Sequence, residues 1–174
     1  FQGSEALEEK NGEDFPFVPG DLDLVLLSHA HIDHSGRIPL LFNKGYGGKV
    51  LCTEATAELV DIMLQDSGSI QERDTDFYNK KARRSGKELH QPIYTQADAE
   101  AAMDNFKPLP YDQVQEVLPG VRVCFRDAGH ILGSAIVEVW IKEKDSQGQQ
   151  KETKLVFSGD TRGRDKALVP HPPF

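Results

Sequence analysis

Four side chains able to bind a metal stand within six residues at His29-Ala30-His31-Ile32-Asp33-His34. In an extended segment residues i and i+2 project to the same side, so His29 and His31 can hold one cation together. Asp33 and His34 follow on a turn and are aimed differently, which suits them to a second ion. Imidazole and carboxylate are ligands that favour zinc, and paired ions of this kind activate water for hydrolysis. The bland alternative is a solvated polar loop. Three histidines and an aspartate packed against an apolar run weigh against it.

Two later loops repeat the arrangement of a ligand at the end of an apolar strand. Val121-Arg122-Val123-Cys124-Phe125 leads into Asp127-Ala128-Gly129-His130-Ile131-Leu132-Gly133-Ser134, and Leu155-Val156-Phe157 leads into Ser158-Gly159-Asp160-Thr161-Arg162. The glycines around His130 let the backbone turn sharply. A strand that ends in Gly-Asp is by itself an ordinary turn. Beside the histidine run, however, His130 and Asp160 gain weight as ligands. Ser134 and Thr161 adjoin them, and each hydroxyl either orients a ligand, touches a phosphate or closes a turn.

The elements that must position these residues are legible in outline. Residues 21–28 form a nearly continuous apolar run, predicting a strand covered on both faces that stops at the first histidine. Residues 36–45 read as a short helix with a glycine stop, and 49–53 as a strand. From Glu54 the apolar positions Ala57, Val60, Met63 and Leu64 recur at helical spacing, continuing past Ile70 toward Tyr78, with the basic run 80–87 at the far end. Thr95 caps a second helix predicted to reach about Phe106, ended by Pro108 and Pro110. Strands are predicted over 114–118, 121–126, 134–142 and 153–158, with a polar hairpin loop at 146–150. The sum is an α/β chain, a mixed sheet flanked by helices.

Composition sets limits. A chain of 174 residues builds one domain or most of one. Its net charge of −8 gives no global attraction for a polyanion, so any RNA contact must be local. Lys80, Lys81, Arg83 and Arg84 are the local candidates, although cations at a helix end are ordinarily solvated and favoured by the dipole. Cys52 and Cys124 sit in apolar runs and read as core thiols in a reducing cytoplasm. No apolar stretch approaches the roughly 20 residues that span a bilayer. His90 and His171 read as surface residues, Asp23 as structural, and Asp127 has no evident role. Tyr78, Tyr94 and Tyr111 give no recognisable stacking platform.

Taken together, the three loops resemble the second, third and fourth motifs of the metallo-β-lactamase superfamily. Gly129-His130-Ile131-Leu132-Gly133-Ser134 and Phe157-Ser158-Gly159-Asp160 are similar to its β-CASP branch of nucleic-acid nucleases. The similarity extends to His34-Ser35-Gly36-Arg37-Ile38-Pro39-Leu40 and Tyr46-Gly47-Gly48-Lys49-Val50, and covers essentially the whole chain. The resemblance implies the metallo-β-lactamase fold and two zinc ions, with manganese as an alternative. It gives His29, His31 and His130 to one ion, Asp33 and His34 to the other, and Asp160 to both, with Asp33 and Asp160 as the catalytic carboxylates. It implies an RNA-processing endo- and exoribonuclease of the cytoplasm that directs activated hydroxide at a phosphodiester. An RNA substrate is the expected partner, with no membrane and with a homodimer allowed.

The resemblance also predicts a partial domain. Phe1-Gln2-Gly3 is similar to the stretch after the first motif, and residues 165–174 to the connection before the next. The expected absentees are the first strand motif, the β-CASP insertion and the C-terminal part, leaving a piece that is slow or inactive alone. Two alternatives stay open. The same fold serves hydrolases of small esters, thioesters or lactams, and some relatives are non-catalytic metal-binding subunits.

Overall fold

The computed structural model describes residues 9–144 and 148–161. Two 3-10 turns, Glu9–Gly12 and Pro19–Asp21, come before strand β1 (Leu24–Leu26). Helices α1 (Ile32–Ser35) and α2 (Ile38–Asn43) follow, then β2 (Lys49–Cys52) and the long α3 (Glu54–Ser85). Next come α4 (Gln96–Met103) and strands β3 (Phe106–Pro108), β4 (Gln115–Leu118), β5 (Val121–Asp127), β6 (Ala135–Lys144) and β7 (Gln150–Phe157). Three strands form a sheet in the order β1-β2-β3, and four form a second sheet in the order β4-β5-β6-β7. This is the mixed α/β architecture that the sequence predicts.

By contacts the described chain divides into two compact units. The first holds 9–25, 31–50 and 58–106; the second holds 26–30, 51–57, 107–144 and 148–161. In the first unit α2 packs on α4, and Ile38, Leu40, Leu41, Val60, Leu64, Ala99 and Ala102 are buried. Thr95 starts α4 with a full capping box. Its hydroxyl accepts from the Asp98 backbone N–H, and the Asp98 carboxylate accepts from the Thr95 N–H. The bond from the Thr95 N–H first, then that from the Thr95 hydroxyl, hold the Asp98 carboxyl below the usual value of 3.8. A depressed carboxyl contributes stability that is complete above its unfolded value and is lost as pH falls through the lower folded value. Thr95→Ala is therefore expected to cost about 1 kcal/mol at neutral pH, read as a lowered Tm, with the difference shrinking in strong acid.

In the second unit β4 to β7 form an antiparallel meander. Val123 pairs with Val139 and Phe125 with Val137, while Val137 pairs with Phe157 on the far side. Val123, Cys124 and Phe125 are all fully buried, so the middle of β5 is covered on both faces. Cys52 and Cys124 are free and buried, as expected of core thiols, and burial pushes Cys52 up to about 12. Of the predicted hairpin loop, residues 146 and 147 lie outside the described residues.

Two predicted elements fall well short of their expected extent, and one is more exposed than its apolar sequence suggests. The strand expected over 21–28 is only Leu24–Leu26 and is half-buried. Pro19-Gly20-Asp21 instead closes a turn in which Asp21 N–H donates to Val18 O and Leu22 N–H to Pro19 O. The α4 helix stops at Met103 because the following residues are recruited as a strand. Val50 N–H donates to Asn105 O and Leu109 N–H to Cys52 O, so β3 runs parallel to β2. Pro108 is tolerated there because β3 is the outer strand. The apolar end of β7, Leu155 to Phe157, is exposed, since β7 has a neighbour on one side only among the described strands.

Candidate metal centre

The second unit brings His29, His130 and Asp160 together from three separate loops. Each offers one ligand atom, and these atoms lie within 4.8 Å of one another. His29 Nε2 is 3.9 Å from Asp160 Oδ2, and His130 Nε2 is 3.6 Å from that same oxygen. The imidazole rings stand at 90° with centroids 5.1 Å apart. These separations are too long for hydrogen bonds. They suit a cation placed between the atoms, since ligands about 2.0–2.2 Å from a tetrahedral ion sit roughly 3.3–3.5 Å from each other. The donor set of two imidazoles and one carboxylate thus fits a divalent metal. The His29 side chain is 1% exposed, His130 25% and Asp160 47%, so the cluster has a buried floor and an open mouth.

Each ligand is held by its own loop. His29 Nδ1 lies 3.0 Å from Ser28 Oγ, a contact that leaves Nε2 for a metal when Nδ1 carries the proton. Asp160 reaches the cluster because Gly159 passes over Ser28. A Cβ on Gly159 would lie 2.9 Å from Ser28 Cβ and 3.0 Å from its Oγ, and the residue has φ of +55°. Ser28 O in turn accepts from Ala135 N–H at 2.8 Å, tying the end of the His29 segment to the start of β6.

The His130 loop is the most heavily braced. Ser134 is fully buried, and its Oγ accepts from the backbone N–H groups of His130 at 3.0 Å and Ile131 at 3.2 Å. Of the roles open to Ser134, these bonds favour turn closure. Asp127, without a role in the sequence, accepts from Gly129 N–H at 2.8 Å. Thr53 and Thr56 both donate their hydroxyls to Gly133 O, at 2.6 and 2.8 Å. Tyr111 donates to Ser134 O at 2.9 Å. Burial first, then the charges of Asp127 and Asp112, push the Tyr111 phenol up to about 12, so it stays a donor at any working pH. Ser134→Ala strands two backbone donors. It is expected to cost about 1–3 kcal/mol in urea unfolding and to weaken zinc binding by about 10–100-fold, measured by chelator competition.

Thr53, Thr56 and Tyr111 are the residues that sequence reasoning missed. Nothing local marks them, because their partners lie 80, 77 and 23 residues away in sequence. Thr161 is exposed at the end of the described residues.

The first unit carries the rest of the histidine run. His31 lies two residues after His29 in the chain, and its carbonyl accepts from His34 N–H, Ser35 N–H and Ser35 Oγ, starting α1. Asp33 Oδ2 and His34 Nε2 are 3.8 Å apart, both partly exposed, again a spacing for a shared ion. They line a cavity of about 610 Å3 whose wall includes Arg37, Ser67, Gln71, Ile93 and Tyr94. The Arg37 guanidinium stacks on Phe15 at 4.2 Å and donates to Glu13 O. Tyr94 is 2% exposed, and its burial raises the phenol, an effect that Ser67 and Gln71 partly offset. Asp23, read as structural, lies near enough to Tyr46 to raise its phenol slightly, behind the effect of burial.

A fold of helices and sheets, with loop-borne histidines and an aspartate converging on one point, defines a domain with a candidate metal centre. The chain belongs to the metallo-beta-lactamase superfamily, whose domain model matches residues 6–147. It is 36% identical over 172 residues to Ribonuclease TTHA0252 of Thermus thermophilus, covering 99% of this chain and 33% of that protein. It is also 36% identical over 123 residues to Transcription termination factor FttA of Methanocaldococcus jannaschii, covering 71% of this chain and 17% of that one. The factor of the same name from Methanosarcina mazei is 36% identical over 133 residues, 74% of this chain and 19% of the relative. The chain thus spans a third or less of each of these relatives.

Proposed function

We propose that this chain is part of a metal-dependent phosphodiester hydrolase of the β-CASP type that acts on RNA. The observation that carries the reading is the approach of His29 and His130 to a single oxygen of Asp160. The substrate class comes from the relatives, one of them named a ribonuclease and matched over 99% of this chain. In this reading His29, His31 and His130 would hold one divalent ion and Asp33 and His34 a second, with Asp160 available to both, and zinc is the metal proposed. What a divalent cation supplies when bound is Lewis acidity, which polarises a phosphoryl oxygen and makes water nucleophilic near pH 7.

The protein's own residues set the conditions for that chemistry. Ser28 contacts His29 Nδ1, Ser134 fixes the backbone at His130, and the close passage of Gly159 places the Asp160 carboxylate. Preset ligands of this sort need little reorganisation when charge develops on a phosphodiester. Lys80, Lys81, Arg83 and Arg84 supply the basic contact for RNA, developed below. Free, buried thiols suit a cytoplasmic location. Among the described residues no helix is long and apolar enough to cross a membrane.

The test uses the complete protein with added zinc or manganese and an end-labelled single-stranded RNA. Metal-dependent cleavage is expected, with loss of cleavage on chelation and in the His29→Ala/Asp160→Ala double variant. Hydrolysis of a chromogenic β-lactam or a thioester with RNA left intact would replace this reading with the small-substrate one.

A further inference from the structure

The exposed face of the last turns of α3 combines cations with an aromatic ring. Between residues 73 and 87 the chain has six cations and two carboxylates, against a net charge of −8 for the whole. Phe77, Lys80, Lys81 and Arg84 stand at i, i+3, i+4 and i+7, and so share one side of the helix. The opposite side is the buried one, where Asn79 and Ala82 are each 8% exposed. Asn79 holds the following segment in place, donating to His90 O and accepting from His90 N–H. Phe77 is 69% exposed and Tyr78 61%, with ring centroids 5.9 Å apart.

The cations on this face are uncommitted. The Lys and Arg ion pairs of the described residues involve Lys44, Arg122, Arg126 and Lys154, and none reaches Arg73, Lys80, Lys81, Arg83, Arg84 or Lys87. Asp74 and Asp76 lie one turn earlier. A helix dipole accounts for cations near a C-terminus. It does not account for a phenylalanine left in water one turn before them on the same face.

We propose that the Phe77, Lys80, Lys81 and Arg84 face of α3 binds single-stranded RNA, with Phe77 stacking on a base and the three cations holding phosphates. Sequence-tolerant binding of single strands uses this pairing of an aromatic platform with a basic track. Lys80 and Arg84 are about 6 Å apart along the helix axis, which spreads the positive charge along a strand instead of onto one phosphate. The inference rests on the proposal that RNA is the substrate, and adds a contact surface separate from the metal ligands.

The experiment measures binding of a fluorescein-labelled oligouridylate to the complete protein in chelator, so that no cleavage occurs. Lys80→Ala/Lys81→Ala/Arg84→Ala is expected to raise Kd by about tenfold or more. It should also reduce the slope of log Kd against log salt by roughly 2, as expected for three lost phosphate contacts on a single strand. Phe77→Ala should raise Kd about fivefold or more with an unchanged slope, and Phe77→Trp should retain binding. Far-UV circular dichroism checks that α3 is intact. The triple variant should keep wild-type zinc affinity in chelator competition, which separates this surface from the metal centre. Wild-type affinity and slope in the triple variant would overturn the surface while leaving RNA cleavage standing. Loss of binding to phosphatidylserine vesicles, with RNA binding intact, would overturn it in favour of a lipid surface.

Discussion

Asp160→Ala is expected to lower zinc affinity by more than about 100-fold, and His130→Ala to do nearly as much, measured by competition with a chromogenic chelator. Outer-shell partners alone are worth about 10–100-fold, and these residues are the proposed direct ligands. Asp160 should be the more sensitive, because both imidazoles face the same carboxylate oxygen, at 3.9 and 3.6 Å. Its removal therefore leaves the positive end of the site without an anion. Asp160→Asn separates charge from shape, since the amide keeps an oxygen but loses the negative charge. It should fall between the alanine variant and the wild type. None of these changes should cost much folding stability in chelator, because Asp160 is half-exposed. An Asp160→Ala protein that binds zinc as tightly as the parent would remove Asp160 from the centre, and with it the role proposed for the Gly159 turn.

The candidate ligands were readable because each is announced by its neighbours. His29 and His31 have the i, i+2 spacing, while His130 and Asp160 each follow an apolar strand in a glycine-containing turn. The local capping signal at Thr95 was equally legible and forms in full. What escaped was whatever depends on contacts distant in sequence. Residues 106–108 have no strand period of their own, and they become β3 because the neighbouring β2 offers hydrogen-bonding groups. The run 21–28 was read too long because apolarity does not distinguish a strand from the turn that leads into it. The bracing of the His130 loop by Thr53, Thr56 and Tyr111 is invisible for the same reason. A threonine hydroxyl looks identical in sequence whether it faces water or a carbonyl 77 residues on.

Gly133→Ala is expected to destabilise the protein by about 2–4 kcal/mol. Two separate costs add there. The residue has φ of +83°, which an alanine adopts only at a cost of about 1–2 kcal/mol. The new Cβ would also lie 2.5 Å from Thr56 N, 2.7 Å from Thr56 Oγ1 and 2.9 Å from Ala55 C. Two of those three atoms are backbone at the start of α3, so no rotamer change relieves the clash. The loop must move instead, and moving it breaks the bonds from Thr53 and Thr56 to Gly133 O. Gly148→Ala provides the control, because Gly148 has φ of +78° but nothing within 4 Å of the added carbon. It should show the conformational cost alone, so the difference in Tm between the two variants measures the clash. Zinc affinity discriminates further. A loop displaced at Gly133 carries His130 with it, so Gly133→Ala should lose metal binding together with stability, whereas Gly148→Ala should lose only stability. Equal effects of the two substitutions on both measurements would mean that the His130 loop has room to spare, and that its hydroxyl bracing does not set the position of the ligand.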